Sequence, residues 1–199
     1  NDDVIAEIRA HETTSGTQAA TGIAVFDDGR FVLVWADDAL DGDNLGIAGR
    51  VFGPDGSPLT AVTQLNSWTT GEQHLPQVSV LADGHVAVSW HSQGSFDGES
   101  GRGIALRLFE PGLVPMGPEQ VVNQTLSGDQ YYETHRGLVG LSGGDLALAW
   151  QDTSGADPGG AATTTNDTGA SCMIACSTSR PSQPSTRNNG VCLMSTCCR

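Results

Sequence analysis

Apolar and polar residues alternate with a two-residue period in three runs, each ending in tryptophan: FDDGRFVLVW (Phe26–Trp35), LADGHVAVSW (Leu81–Trp90) and LSGGDLALAW (Leu141–Trp150). In the second half of each run, every other position is bulky: Phe31, Leu33, Trp35; Val86, Val88, Trp90; Leu146, Leu148, Trp150. The positions between them are small or apolar rather than charged: Val32, Val34; Ala87, Ser89; Ala147, Ala149. A period of two puts successive side chains on opposite faces of a strand. One bulky and one small dry face predicts a strand buried on both sides. The Asp-Gly or Gly-Gly pair inside each run accepts the positive φ of a tight hairpin, so an earlier strand is expected before it.

These runs belong to a longer repeat. Gln18, Gln73 and Gln130 stand 55 and 57 positions apart, each closing a small Thr/Ser- and Gly-containing stretch (TTSGTQ, WTTGEQ, TLSGDQ). After the Trp, the first two copies continue through Asp41-Gly42 or Asp97-Gly98, then GIAGRVF or GIALRLF, then a turn and a segment ending in Asn66 or Asn123. Each copy is predicted to be four short strands. The copies span residues 13–66 and 67–123, and an incomplete third follows at 124–158. Counting back from Gln18 sets Glu7–His11 opposite Val62–Asn66 and Glu119–Asn123, so residues 1–12 are expected to be the last strand of a preceding copy. Together with a first residue that is Asn1 rather than Met, this predicts a processed product or a fragment of an array that extends upstream. Four-stranded units that cannot cover their own faces must stack. The expected fold is all-β, a partial β-propeller, with a β-solenoid as the alternative.

The motif Q-x(7)-[FL]-x-D-G-x-[FV]-x-[LV]-x-W, followed by DG, G-I-x-x-R-x-F and a closing N, resembles a repeat of very large bacterial secreted and cell-surface proteins. The resemblance covers residues 7 to 155 and is weaker in the third copy, where Gly143-Gly144 replaces Asp-Gly and three extra residues follow Gln130. In those proteins the repeat accompanies hemolysin-type calcium-binding repeats and cadherin-like adhesin modules. The likeness implies an extracellular or cell-surface blade-forming unit with an adhesion or matrix role, and it supplies no catalytic residues. The glycine-rich nonapeptides that bind calcium in the associated modules have no counterpart here.

Charge narrows the partners. There are 9 Lys+Arg against 23 Asp+Glu, a formal net charge of −14, which disfavours nucleic acid and a basic membrane-surface helix. All the basic residues are arginine, so Schiff-base and P-loop lysine chemistry is excluded. No run reaches the ~18 apolar residues of a membrane-spanning helix. The expected partners are further repeats of the same array or another copy of the chain, and a carbohydrate or surface protein as ligand.

One segment suggests metal chemistry. Asp37, Asp38, Asp41, Asp43 and Asn44 bring four carboxylates and an amide into eight residues, and calcium favours flexible, oxygen-only loops. It is not an EF-hand, because Ala39 and Ala48 stand where that loop needs an acid. The competing reading is an Asp-Gly turn on a solvated acidic rim. Trp35, Trp90 and Trp150 share a face with Leu and Val and are expected to pack between blades rather than stack on sugar. Trp68, which lies in the Thr/Gly stretch, is the candidate for an exposed ligand contact. Gln18, Gln73, Gln130, Asn66 and Asn123 are expected to satisfy backbone groups between blades. Arg50 and Arg107 are expected to snorkel or to pair with a neighbouring Asp. The five histidines follow no HExxH or HxH spacing, and no G-x-S-x-G is present.

From about Gly159 the pattern stops. All five cysteines (Cys172, Cys176, Cys192, Cys197, Cys198) lie beyond Asp167, the last acid. This Ser/Thr/Arg/Pro/Cys-rich stretch, residues 159–199, is expected to be disordered. Disulfides, a metal site and translation out of the ancestral frame are its three competing explanations. The function expected from the whole is a non-catalytic adhesion or ligand-binding module, calcium-stabilised through the 37–44 loop. The alternative is a scaffold fragment of a β-propeller glycan-acting hydrolase, whose two acids could lie anywhere among the carboxylates.

Overall fold

The computed structural model describes residues 7–13, 15–94, 101–123, 127–131, 137–142 and 144–152, with the backbone of two further strands at 171–177 and 191–195. Three antiparallel sheets follow one another along the chain. The first holds β1 (Gln18–Val25), β2 (Phe31–Asp37), β3 (Gly46–Phe52) and β4 (Thr63–Gln64), in the order β1-β2-β3-β4. The second holds β5 (Glu72–Val80), β6 (Val86–Gln93), β7 (Arg102–Phe109) and β8 (Gln120–Val121), in the same order. In the third, β9 (Gln130–Tyr131) and β10 (Leu138–Gly140) both pair with β11 (Leu146–Asp152). Every strand pairs antiparallel with its neighbour inside its own repeat, which excludes the solenoid alternative. The architecture is a partial β-propeller of stacked up-and-down blades.

The hairpins form where the pattern placed them. Phe26 N–H donates to Arg30 O at 2.8 Å, and Gly29, at φ 86, donates to Phe26 O; Leu81, His85 and Gly84, at φ 85, repeat the arrangement. β1 carries a bulge between Ala19 and Gly22, and β5 carries one at the matching place, between His74 and Gln77. A bulge re-aims the strand and raises its twist, so both first strands bend alike.

The core lies between the sheets. Val32, Val34, Ile47 and Val51 of the first sheet meet Val86, Val88, Trp90, Ala105 and Phe109 of the second. Ala87, Ile104 and Leu106 of the second meet Leu138, Leu146, Leu148 and Trp150 of the third. The small face of each blade thus receives the bulky face of the next. Trp35, Trp90 and Trp150 are all buried, as packing residues should be.

The C-terminal region departs from expectation. Ser171–Ser177 forms β12, in register with β11, and Val191–Ser195 forms β13 alongside it. The short apolar stretches CMIAC and VCLM sit where the missing third and fourth strands belong; the first takes the open edge of β11 and the second pairs with the first. These two segments are strands, and the rest of 159–199 lies outside the described residues.

A leucine of the second copy stands where the first copy has a glycine. Leu113, at φ 64, stands where the preceding copy has Gly56, at φ 80, and its side chain is fully buried in the core between sheets one and two. A left-handed leucine costs roughly 1–2 kcal/mol, and burying its side chain contributes about 1.5–3 kcal/mol. The room for it is Gly49, where a Cβ would meet Leu65 Cδ1 at 2.8 Å and Leu113 Cδ1 at 3.2 Å. Gly49→Leu, which installs the residue that the second copy carries at Leu106, is expected to lower stability by about 1–3 kcal/mol through overpacking. Urea titration checks this; an unchanged midpoint would mean that the junction has slack.

Candidate functional site

The residues with repeat spacing converge at the junctions between blades. Asn66 closes the first blade and is buried; its Oδ1 accepts Ile47 N–H at 2.8 Å, and its Nδ2 donates to Gln73 Oε1 at 3.0 Å. Gln73 opens the second blade, is fully buried, and donates through Nε2 to Thr70 O at 3.0 Å. The next junction repeats this atom for atom. Asn123 Oδ1 accepts Ile104 N–H at 2.7 Å, Nδ2 donates to Gln130 Oε1 at 3.0 Å, and Gln130 Nε2 donates to Ser127 O at 3.3 Å. An amide fits because it offers an acceptor for the strand and a donor for the next blade on one planar group. At the opening of the first blade, Gln18 Nε2 donates to Ser15 O at 3.2 Å in the same way.

A second fastener uses arginine. Arg107 Nη1 donates to Leu65 O in the preceding blade at 2.8 Å, while its Nε holds Gly117 O at 3.1 Å. Arg50 donates to Ala10 O at 3.4 Å and to Thr60 O at 2.8 Å, and pairs with Glu12 at 3.1 Å. Ala10 is the counterpart of Leu65, so residues 7–13 run where the fourth strand of a preceding blade would lie. The acid beside Arg50 is a glutamate rather than the expected Asp, and both arginines donate to carbonyls.

The acidic loop is spent on the same junction. Asp37 is buried, and its carboxylate accepts Trp35 Nε1–H at 3.0 Å and Ala39 N–H at 3.0 Å. Asp41 accepts Asn66 Nδ2–H at 3.0 Å and Asp43 N–H at 3.2 Å. Asp43 accepts Gly71 N–H at 2.9 Å and Asn44 Nδ2–H at 3.0 Å. Asp38 is exposed, its carboxylate against Gly16. Among the described residues, no three His, Cys, Asp or Glu side chains come together so as to hold a metal. The matching Ser95–Ser100 segment lies outside the described residues. Trp68, expected as an exposed contact, is half-buried against the core between the first two sheets, and its N–H donates to Glu119 Oε2 at 3.1 Å.

Three side chains that sequence reasoning passed over complete the junctions. Glu119, where the first copy has Val62, is buried and grips the linker through Ser67 N–H at 2.6 Å and Ser67 Oγ–H at 2.8 Å. Burial raises its pKa above the ordinary glutamate value, and those hydrogen bonds oppose the rise only in part. Gln77 Oε1 accepts Gly137 N–H at 2.5 Å and Leu138 N–H at 2.8 Å from the third blade. His91 is buried edge-on to His74, ring centroids 5.2 Å apart; desolvation first, then His74 and Arg102, depress its pKa to about 3. A polar residue at a position that is apolar or small in the first copy (Val62, Gly22, Ala36) is the one signal that could have found them.

No protein-family model and no curated protein matches the chain. Among solved structures it is similar to a thermostable family-43 glycoside hydrolase, with 14% identity and a TM-score of 0.49 over 81% of this chain and 51% of that one. The chain spans about half the length of that hydrolase, and nothing about its chemistry follows from a likeness of this size.

Two outcomes test the junctions. Asn66→Ala leaves the buried Ile47 N–H and Gln73 Oε1 without the partner shown here, and is expected to cost about 1–3 kcal/mol. A double-mutant cycle with Gln73→Ala should return a coupling of about 0.5–3 kcal/mol, against zero for independent residues. Acid should also loosen the second blade. The unfolded state takes up the His91 proton near pH 6.5 and the folded state only near 3, so stability is full above 6.5 and falls as pH drops through that window. Glu119 has the opposite sign: its raised folded pKa favours folding below the ordinary glutamate pKa and loses that contribution as pH rises. His91→Ala, the residue of the first copy, is expected to flatten the acid slope in urea midpoints measured from pH 7 down to 4; an unaltered slope would assign it elsewhere.

Proposed function

We propose that the chain is an extracellular, non-catalytic repeat module, a length of blade array that serves adhesion or matrix assembly by extending a surface rather than by turnover. The observation that carries this reading is that the polar residues with repeat spacing are used on the protein itself. Asn66 and Asn123, Gln73 and Gln130, Arg50 and Arg107 each join one blade to the next with the same atoms. A buried polar network in which the partners recur from copy to copy fixes the register of stacking. In this reading Asp41 and Asp43 are struts that hold Asn66 and Gly71, and calcium binding at the loop would have to take their oxygens from those N–H groups. The acidic rim, the overall charge and the resemblance to surface-protein repeats support an extracellular setting, with a carbohydrate or surface protein as ligand.

Incubation with a polysaccharide panel is expected to release no reducing sugar. Release from any member would overturn the non-catalytic reading and favour a hydrolase scaffold. Thermal melts in calcium and in chelator are expected to coincide, as they should for a loop held by protein donors. A calcium-dependent rise in Tm would return Asp37, Asp38, Asp41, Asp43 and Asn44 to the metal.

A further inference from the structure

One cross-strand pair in the second blade is unlike its counterparts in the other two. In the first blade, Ala19 of β1 lies opposite Ala36 of β2, and in the third, Tyr131 of β9 lies opposite Gln151 of β11. The same place in the second blade holds His74 of β5 opposite His91 of β6. Alanine serves there in the first blade, so the repeat itself does not call for two imidazoles. The pair lies on the face turned to the third blade. Ala87 shares that face with His91 by strand alternation, Ile104 pairs with His91 across β7, and both pack into the core formed with the third blade. His91 is 1% exposed and the His74 side chain 17%, so the pair reaches solvent through His74.

The two rings stand edge-on, 5.2 Å apart between centroids. A metal ion held at about 2.0–2.1 Å by one nitrogen of each ring, with a tetrahedral angle between the two bonds, sets the ring centres roughly 5 Å apart. His74 Nδ1 is buried and has no hydrogen-bond partner. Burial keeps both imidazoles neutral at pH 7, His74 below the ordinary histidine value and His91 down to about 3, and the neutral ring is the form that binds metal. Two charges act on the pair. Glu72 Oε1 lies 3.9 Å from His74 Nδ1 and favours a cation, whereas Arg102, close enough to depress both rings, opposes one.

We propose that His74 and His91 together form a site for a divalent transition metal of the zinc type, held by the two imidazoles and completed by water. Imidazole nitrogen selects such metals, whereas calcium takes oxygen. With two protein ligands the site is open, and its remaining positions can take a donor atom of a bound molecule. This goes beyond the adhesion reading, does not rest on it, and is separate from the 37–44 loop.

Calorimetric titration with zinc tests the site, on the full chain stripped of metal by chelator and with its five cysteines blocked by iodoacetamide. One equivalent is expected to bind, and to be lost in His74→Ala and in His91→Ala alike. Alanine stands at both places in the first blade, and urea midpoints taken in chelator check that the variants fold. On the unaltered chain, zinc should shift the ring resonances of two of the five histidines, the two whose rings show a nuclear Overhauser contact with each other, and should raise the urea midpoint. Zinc binding undiminished in folded His74→Ala or His91→Ala, shifts confined to other histidines, no binding at all, or an equal response to calcium would each overturn the proposal.

Discussion

No blade in this chain can bury both of its faces within itself, and that constraint governs the rest. A four-stranded sheet with Val, Leu and Trp on one side and Val or Ala on the other needs a neighbour on each. The bulky face of β6 seats on the small face of β2, and that of β11 on β6. Burial supplies the attraction, but it is non-directional. Direction comes from the polar pieces at the blade ends, which are specific in geometry and costly if left unpaired.

The amide pair and the arginine do different work at a junction. Asn66 and Gln73 link the end of one blade to the start of the next along the chain, while Arg107 reaches across to the main chain of β4's neighbour Leu65. The two holds lie on separate strands, so together they set both the connection and the rotation of one blade on another. Glu119 and Gln77 add a local charge or amide at the second blade alone, where the sheet meets neighbours on both sides. The acidic 37–44 loop, which reads in sequence as a cation site, is drawn into the same joint by Asn66 and Gly71.

The fold was largely legible because it repeats. Two-residue alternation located β2, β6 and β11, and the Gln-to-Asn frame located the joints, including the alignment of Ala10 with Leu65. What escaped notice departs from the repeat. Glu119, Gln77 and His91 stand where the first copy has Val62, Gly22 and Ala36, and a single odd residue gives no period to detect. β12 and β13 escaped because their composition resembles no other strand of the chain; their place is set by the open edge of β11. Trp68 is half-buried, a placement that its polar, glycine-rich setting in sequence does not reveal. In the 37–44 loop the sequence shows the carboxylates but not the N–H groups that Asp37, Asp41 and Asp43 accept.

Native-state hydrogen exchange tests most directly whether the blades are joined into one unit. The Ile47 and Ile104 amides, held by Asn66 and Asn123, report on the two joints. The account predicts that β2, β3, β6 and β7 exchange together and slowest, with one common response to denaturant, and that Ile47 belongs to that group. Separate exchange of the first and second sheets, each with its own denaturant dependence, would contradict it.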